Sequence, residues 1–104
     1  MIESIEIEIT KGSVKNINSI IIPKENMYYK NNKKYRIEDK TIEKLLEILT
    51  LWKYEYGSSS NIDEEEFRII VREENKETIY HGKGIFPSSY PLFLDIVRGL
   101  ENGK

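Results

Sequence analysis

Ile5-Glu6-Ile7-Glu8-Ile9 alternates without a break. Successive side chains of an extended chain point to opposite faces, so the isoleucines fall on one face and the glutamates on the other. This is a strand with one dry and one wet face, and the dry face needs a cover. Lys11-Gly12-Ser13 is a turn signal, and Asn18-Ser19-Ile20-Ile21-Ile22 reads as the returning strand. Pro23 closes it, having no N–H to give to a ladder. Met27-Tyr28-Tyr29 and Tyr35-Arg36-Ile37 flank Lys30-Asn31-Asn32-Lys33. Asparagine tolerates positive φ, so a short hairpin is expected there.

The cover comes from two helical patterns. Ile42, Leu45, Leu46, Leu49 and Trp52 share one helical face, with Lys40, Glu43, Lys44 and Glu47 on the other. Asp39 or Thr41 is suited to cap this helix, and it should end near Lys53, before the loop signal Gly57-Ser58-Ser59-Ser60-Asn61. Phe67-Arg68-Ile69-Ile70-Val71 then reads as a strand, Glu73-Glu74-Asn75-Lys76 as a turn and Glu77-Thr78-Ile79-Tyr80-His81 as the hairpin partner, broken by Gly82 and Gly84. Phe93, Ile96, Val97 and Leu100 have helical spacing; Ser88 or Ser89 suits the cap, Pro91 is tolerated in the first turn, and Asn102-Gly103 ends the helix. The expectation is a single α+β domain over residues 1–104. Its order is strands, helix, two strands, helix, with an antiparallel sheet and both amphipathic helices on one face.

The 104 residues fit one domain. Charged residues make up 33% of the chain, which calls for a densely charged surface. There is no cysteine, which excludes disulfides, thiol catalysis and zinc–thiolate sites. Alanine and glutamine are also absent, a bias that suggests an AT-rich bacterial genome. No secretory signal is visible at Met1-Ile2-Glu3-Ser4, and the longest apolar run is Ile20-Ile21-Ile22, so a cytoplasmic protein without membrane contact is expected. Net charge is −2, which argues against a general nucleic-acid binder. The charge is uneven: residues 24–36 hold five basic residues against Glu25 alone, and residues 55–66 hold five acidic residues and no basic one. Two solvated loops explain this simply; a complementary contact within one chain or between two is the sharper alternative.

Candidate chemistry is sparse. His81 is the one histidine, and as a general base it would need an orienting carboxylate and a nucleophile; Ser88 and Ser89 are nearest, neither in a nucleophile elbow. Asp63-Glu64-Glu65-Glu66 lacks the spacing of a calcium loop, and Gly82-Lys83-Gly84 lacks that of a phosphate loop. No cofactor or metal is implied. Tyr28, Tyr29 and Tyr35 interleave with Lys30, Lys33, Lys34 and Arg36, a pattern that could stack bases, though a charged hairpin blunting a sheet edge accounts for it more simply. Trp52, Tyr54 and Tyr56 run from the helix into the loop; Trp52 fits the core stripe, core or loop-anchoring use is the simpler reading of all three, and a protein interface is the alternative that exposed aromatics suit.

Residues 42–98 resemble a family of small α+β proteins of unknown function in Firmicutes, with the pattern W-x-Y … D-x-x-x-[FW] … G-x-x-x-[FY]-P. Trp52 and Tyr54 stand at the first motif, Asp63 and Phe67 at the second, Gly82 and Phe86-Pro87 at the third, with Tyr90 following. Glu64 replaces a glycine and Lys83-Gly84-Ile85 replaces Ser-Asn-Ala, which weakens any site those positions make. The resemblance implies a strands–helix–strands–helix domain and brings no catalytic residues. The leading expectation is a non-enzymatic module that binds a protein through Trp52, Tyr54, Tyr56, His81 and Tyr90. Alternatives are a small hydrolase or ligand-binding enzyme centred on His81, or a weak nucleic-acid interactor through Lys30–Arg36. A homodimer through an uncovered sheet face or edge is also open.

Overall fold

A computed structural model describes residues 1–12, 14–58 and 64–101. Ser13, the loop signal from Ser59 to Asn61, Asp63 of the acidic run and the helix-ending Asn102-Gly103 lie outside the described residues. The elements in chain order are β1 (Ile2–Lys11), β2 (Val14–Ile22), a short 3-10 turn (Pro23–Glu25), β3 (Met27–Lys30), β4 (Lys33–Arg36), α1 (Asp39–Leu49), β5 (Glu55–Ser58), β6 (Glu65–Glu73), β7 (Lys76–Lys83) and α2 (Tyr90–Leu100). This is an α+β fold with one seven-stranded sheet, ordered β4-β3-β2-β1-β6-β7-β5.

The alternating N-terminal segment lies at the centre of that sheet. β1 pairs antiparallel with β2 on one side and with β6 on the other. Ile5, Ile7 and Ile9 are fully buried, and their cross-strand neighbours Ile21, Ile17, Ile69, Val71 and Phe67 join them in one core with Leu45 and Leu49 of α1 and Phe93 and Val97 of α2. The β3–β4 hairpin forms as expected, with Asn31 and Asn32 at φ 52° and 65° in its two-residue turn. Asn26, at φ 55°, locks the base of this hairpin to the start of α1: its side chain donates to the Ile37 carbonyl at 3.0 Å and to Asp39 Oδ1 at 2.8 Å.

The structure corrects the expected layout at the far edge. Glu55–Ser58, which includes Gly57-Ser58 of the expected loop signal, is a strand, and it pairs parallel with β7, so the sheet is not wholly antiparallel. The order is accordingly four strands, helix, three strands, helix. The reason lies in the crossing made by α1. β4 is one edge of the sheet and β5 the other, about 29 Å apart at ~4.8 Å per strand. The eleven residues of α1 reach about 16 Å at ~1.5 Å rise, and Thr50–Tyr54 carry the chain the rest of the way. Pairing of β5 is set by where this crossing lands, which four residues containing a glycine do not reveal.

Three local expectations also shift. α1 stops at Leu49, short of Lys53, because its end tightens: Leu51 N–H bonds to the Ile48 carbonyl and Trp52 N–H to the Leu49 carbonyl, three residues back in each case. The tighter turn still delivers Trp52 to the core, 6% exposed. Neither helix has a side-chain cap. Asp39 is occupied by Asn26, and Ser89, at the N-cap of α2, uses its hydroxyl to accept from the Trp52 indole. Finally, Gly82 does not break β7 but lies within it. A Cβ there would come within 2.6 Å of the Phe67 ring and 2.8 Å of both the Ile85 carbonyl oxygen and Tyr56 Cβ, so only hydrogen fits. Gly84, at φ 78°, makes the exit. No helix among the described residues is long and apolar enough to cross a membrane.

Candidate functional site

Cross-strand register places the charged residues of the outer face in rows. Glu8 of β1 is opposite Arg68 of β6, Arg68 is opposite His81 of β7, and His81 is opposite Glu55 of β5. Residues paired in this way point to the same side of the sheet and interact. His81 is the focus of the row. Its Nε2 lies 2.6 Å from Glu66 Oε2 and its Nδ1 lies 3.0 Å from Glu55 Oε2. Glu66 above all, and then Glu55, raise the imidazole pKa above its ordinary value, against burial, which lowers it. Farther along the same face, Arg72 bridges Glu6 and Glu77.

The aromatics divide into two groups. Trp52 and Tyr90 are buried, and with Phe67, Phe86 and Phe93 they form the centre of the core beneath β6. The Trp52 indole donates to Ser89 Oγ at 2.8 Å, and the Tyr90 hydroxyl donates to Glu65 Oε2 at 2.5 Å. Burial, and then Glu65, push the Tyr90 hydroxyl pKa far above its usual value, so it stays a donor. Tyr56 is half-buried: its ring lies 6.2 Å from that of Phe67, and its hydroxyl accepts from the Lys53 N–H at 2.8 Å. Tyr54 stands apart at 66% exposure, its ring centroid 5.7 Å from that of Tyr80.

Tyr54 is at the rim of a cleft of about 270 Å³ between the end of α1 and the β6–β7 hairpin. Ile2, Leu46, Leu49, Val71 and Tyr80 provide apolar wall, with Glu73 and Lys76 at the polar side. Leu51, next in the chain to the cleft-lining Thr50, is 80% exposed. A shallower surface continues from Tyr54 along Lys76 and Thr78.

The five expected site residues therefore do not converge on one surface. Trp52, Tyr56 and Tyr90 gather around Phe67, His81 belongs to the outer face, and Tyr54 opens onto the cleft. One backbone bond links the last two, from His81 N–H to the Tyr54 carbonyl at 2.9 Å. The acidic run is partly consumed internally, Glu65 by Tyr90 and Glu66 by His81, and no group of three or more potential metal ligands occurs among the described residues. Of the basic stretch, Lys30 is taken by Glu101 at 2.9 Å, while Lys33, Lys34 and Arg36 are exposed on edge strand β4. Leu51 and the cleft went unrecognised in the sequence. Leu51 falls off the apolar stripe of α1, and an out-of-phase leucine beside an aromatic was the available signal. No protein-family model, curated protein or solved structure matches the chain.

Proposed function

We propose that this chain is a non-enzymatic protein-binding module, working in the cytoplasm, whose contact surface is the cleft beside Tyr54. The observation that carries this reading is a cleft with an apolar wall and the exposed Tyr54 at its rim; exposed Leu51 is next in the chain to the cleft-lining Thr50. A scattered exposed apolar residue means little, but apolar residues bordering a concave apolar wall are the composition of an interface core. The complementary partner inserts one large apolar side chain and is flanked by the charges of Glu73 and Lys76. Both helices are taken to cover the same face of the sheet, in keeping with their shared core cluster. That leaves the ionic outer face open to solvent and the cleft at the end of α1 accessible.

The alternatives draw less support. In a hydrolase centred on His81, one ring nitrogen must face a nucleophile, yet each nitrogen lies against a carboxylate. For nucleic-acid binding through Lys30–Arg36, the pattern is depleted: Tyr28 is fully buried and Lys30 is paired with Glu101. Edge-to-edge homodimers are disfavoured by Lys33, Lys34 and Arg36 on β4 and by the register break in β5. Membership of the small Firmicutes family remains part of the proposal, and it agrees with a binding role in bringing no catalytic residues.

The test is the double variant Leu51→Ser with Tyr54→Ser. Both side chains are exposed, so folding stability should hold within about 0.5 kcal/mol. Cross-linking in cells should then lose the partners that the wild-type protein captures. An unchanged set of captured partners removes the cleft from consideration.

A further inference from the structure

His81 sits where three strands meet, and its neighbours dictate its protonation. Neutral imidazole carries one N–H and one lone pair. Here both ring nitrogens face carboxylate oxygens, Glu66 Oε2 at 2.6 Å and Glu55 Oε2 at 3.0 Å, and neither carboxylate has a proton to give when ionised. The arrangement therefore belongs to the imidazolium, which donates in both directions. Glu66 is on β6, His81 on β7 and Glu55 on β5, so the ring spans the last three strands of the sheet.

The strand at the end of this span is weakly held. β5 has four residues, lies at the edge, and its ladder to β7 breaks register between Tyr56 and Ser58. Beyond that ladder, the His81 N–H bonds to the Tyr54 carbonyl just before the strand, and the Tyr56 ring packs on Phe67, so the Glu55 end depends most on the strap. The charged groups around the ring come from every neighbouring strand. Arg68 of β6 stands opposite His81 and opposes its charge; Glu8 of β1 stands beyond Arg68 and offsets it; Lys83 of β7 stands opposite Glu66. The two bonded carboxylates outweigh these, and the ring holds its proton above the ordinary range.

We infer that His81 is a protonation-gated strap that fastens edge strand β5 to the sheet, closed while both ring nitrogens carry protons and released at Glu55 when one proton leaves. Glu55 is the end that lets go: its contact is the longer of the two, its side chain is 67% exposed against 41% for Glu66, and its strand is the shorter. Release loosens β5 and uncovers the edge of β7. The strap acts whether or not the cleft binds a protein, although Tyr54, which immediately precedes β5, would feel it.

An NMR titration from roughly pH 5.5 to 9.5, which extends above the ordinary range of histidine to follow a raised midpoint, tests the inference on the wild-type chain and on Glu55→Val, which removes the acceptor and keeps strand propensity. At the acid end both His81 ring nitrogens should report protonation, and the midpoint should lie above 6.5. The Tyr56 and Gly57 amides of the wild type should shift with that same midpoint. In Glu55→Val the His81 midpoint should fall and the amide response should be lost. Wild-type amides that do not follow His81, or that follow it equally in Glu55→Val, would overturn the strap, as would a wild-type midpoint at or below 6.5.

Discussion

Phe67, which centres the cluster with Trp52 and Tyr90, and His81, which centres the strap, lie on adjacent strands of the same sheet, yet the two groups are held together by opposite means. The cluster is dry. Phe67 is fully buried, with the rings of Trp52 and Tyr90 5.6 Å and 5.1 Å away, and each polar tip finds a partner, Ser89 for the indole and Glu65 for the phenol. The strap is wet. Its three side chains are 27%, 41% and 67% exposed, and its bonds are ionic. Apolar burial and close packing persist across solution conditions, whereas exposed ion pairs are screened by salt and follow pH. One region can therefore set stability while its neighbour senses the medium.

The contrast is broken most forcefully at Phe67. Phe67→Ala removes the ring on which Trp52, Tyr56, Phe86 and Tyr90 all pack. Truncating a buried aromatic costs about 3–5 kcal/mol, a large share of a domain's total stability. Urea denaturation at fixed pH should show a loss of that size, with little change when salt is added. Gly82→Ala probes the same cluster by overfilling it. Its new methyl would press on the Phe67 ring and on the Ile85 backbone, and the backbone has little room to yield. The expected loss in the same denaturation measurement is about 1–3 kcal/mol. A change near zero would mean that β7 moves freely over Phe67.

The legible part of the structure follows from this contrast. Apolar periodicity is written into the chain, so Ile5, Ile7 and Ile9, Ile42, Leu45 and Leu49 of α1, and Phe93 and Val97 of α2 sit in the core as their spacing requires, while Leu46, Ile96 and Leu100 lie at its margin and Ile48 and Leu94, off the expected stripes, are buried. Turn chemistry was legible as well, since Asn31 and Asn32 take the positive φ that asparagine tolerates. Positions decided by distant partners were not. β5 exists because α1 deposits the chain beside β7, and no residue in Glu55-Tyr56-Gly57-Ser58 encodes that meeting. Ser89 looks like a helix cap until Trp52, 37 residues earlier, takes its hydroxyl. Gly82 looks like a strand break until Phe67 and Tyr56 are placed against it. His81 was legible as a suspicion, but its two carboxylates come from separate strands, and their pairing across it is a property of register alone.

The smallest effect is expected at the strap, and its sign is what separates it from the core. Folding raises the His81 pKa, so its contribution is fully present below the unfolded value near 6.5 and is lost as pH rises through the folded value. The two carboxylates are 67% and 41% exposed, so solvent screens the pairs and the contribution is that of a surface pair, at most about 1 kcal/mol. His81→Gln has no titrating proton. The wild type should therefore exceed His81→Gln in denaturation midpoint on the acid side of neutrality, and the gap should close as pH rises, while Phe67→Ala keeps a constant deficit over the same range. If the gap instead widens with pH, the ring is neutral in the folded chain and the two carboxylates do not hold its second proton. If it stays constant, His81 acts through packing, like the cluster beside it. Added salt should shrink the acid-side gap and leave the Phe67→Ala deficit in place, because only the strap depends on charges that solvent ions can reach.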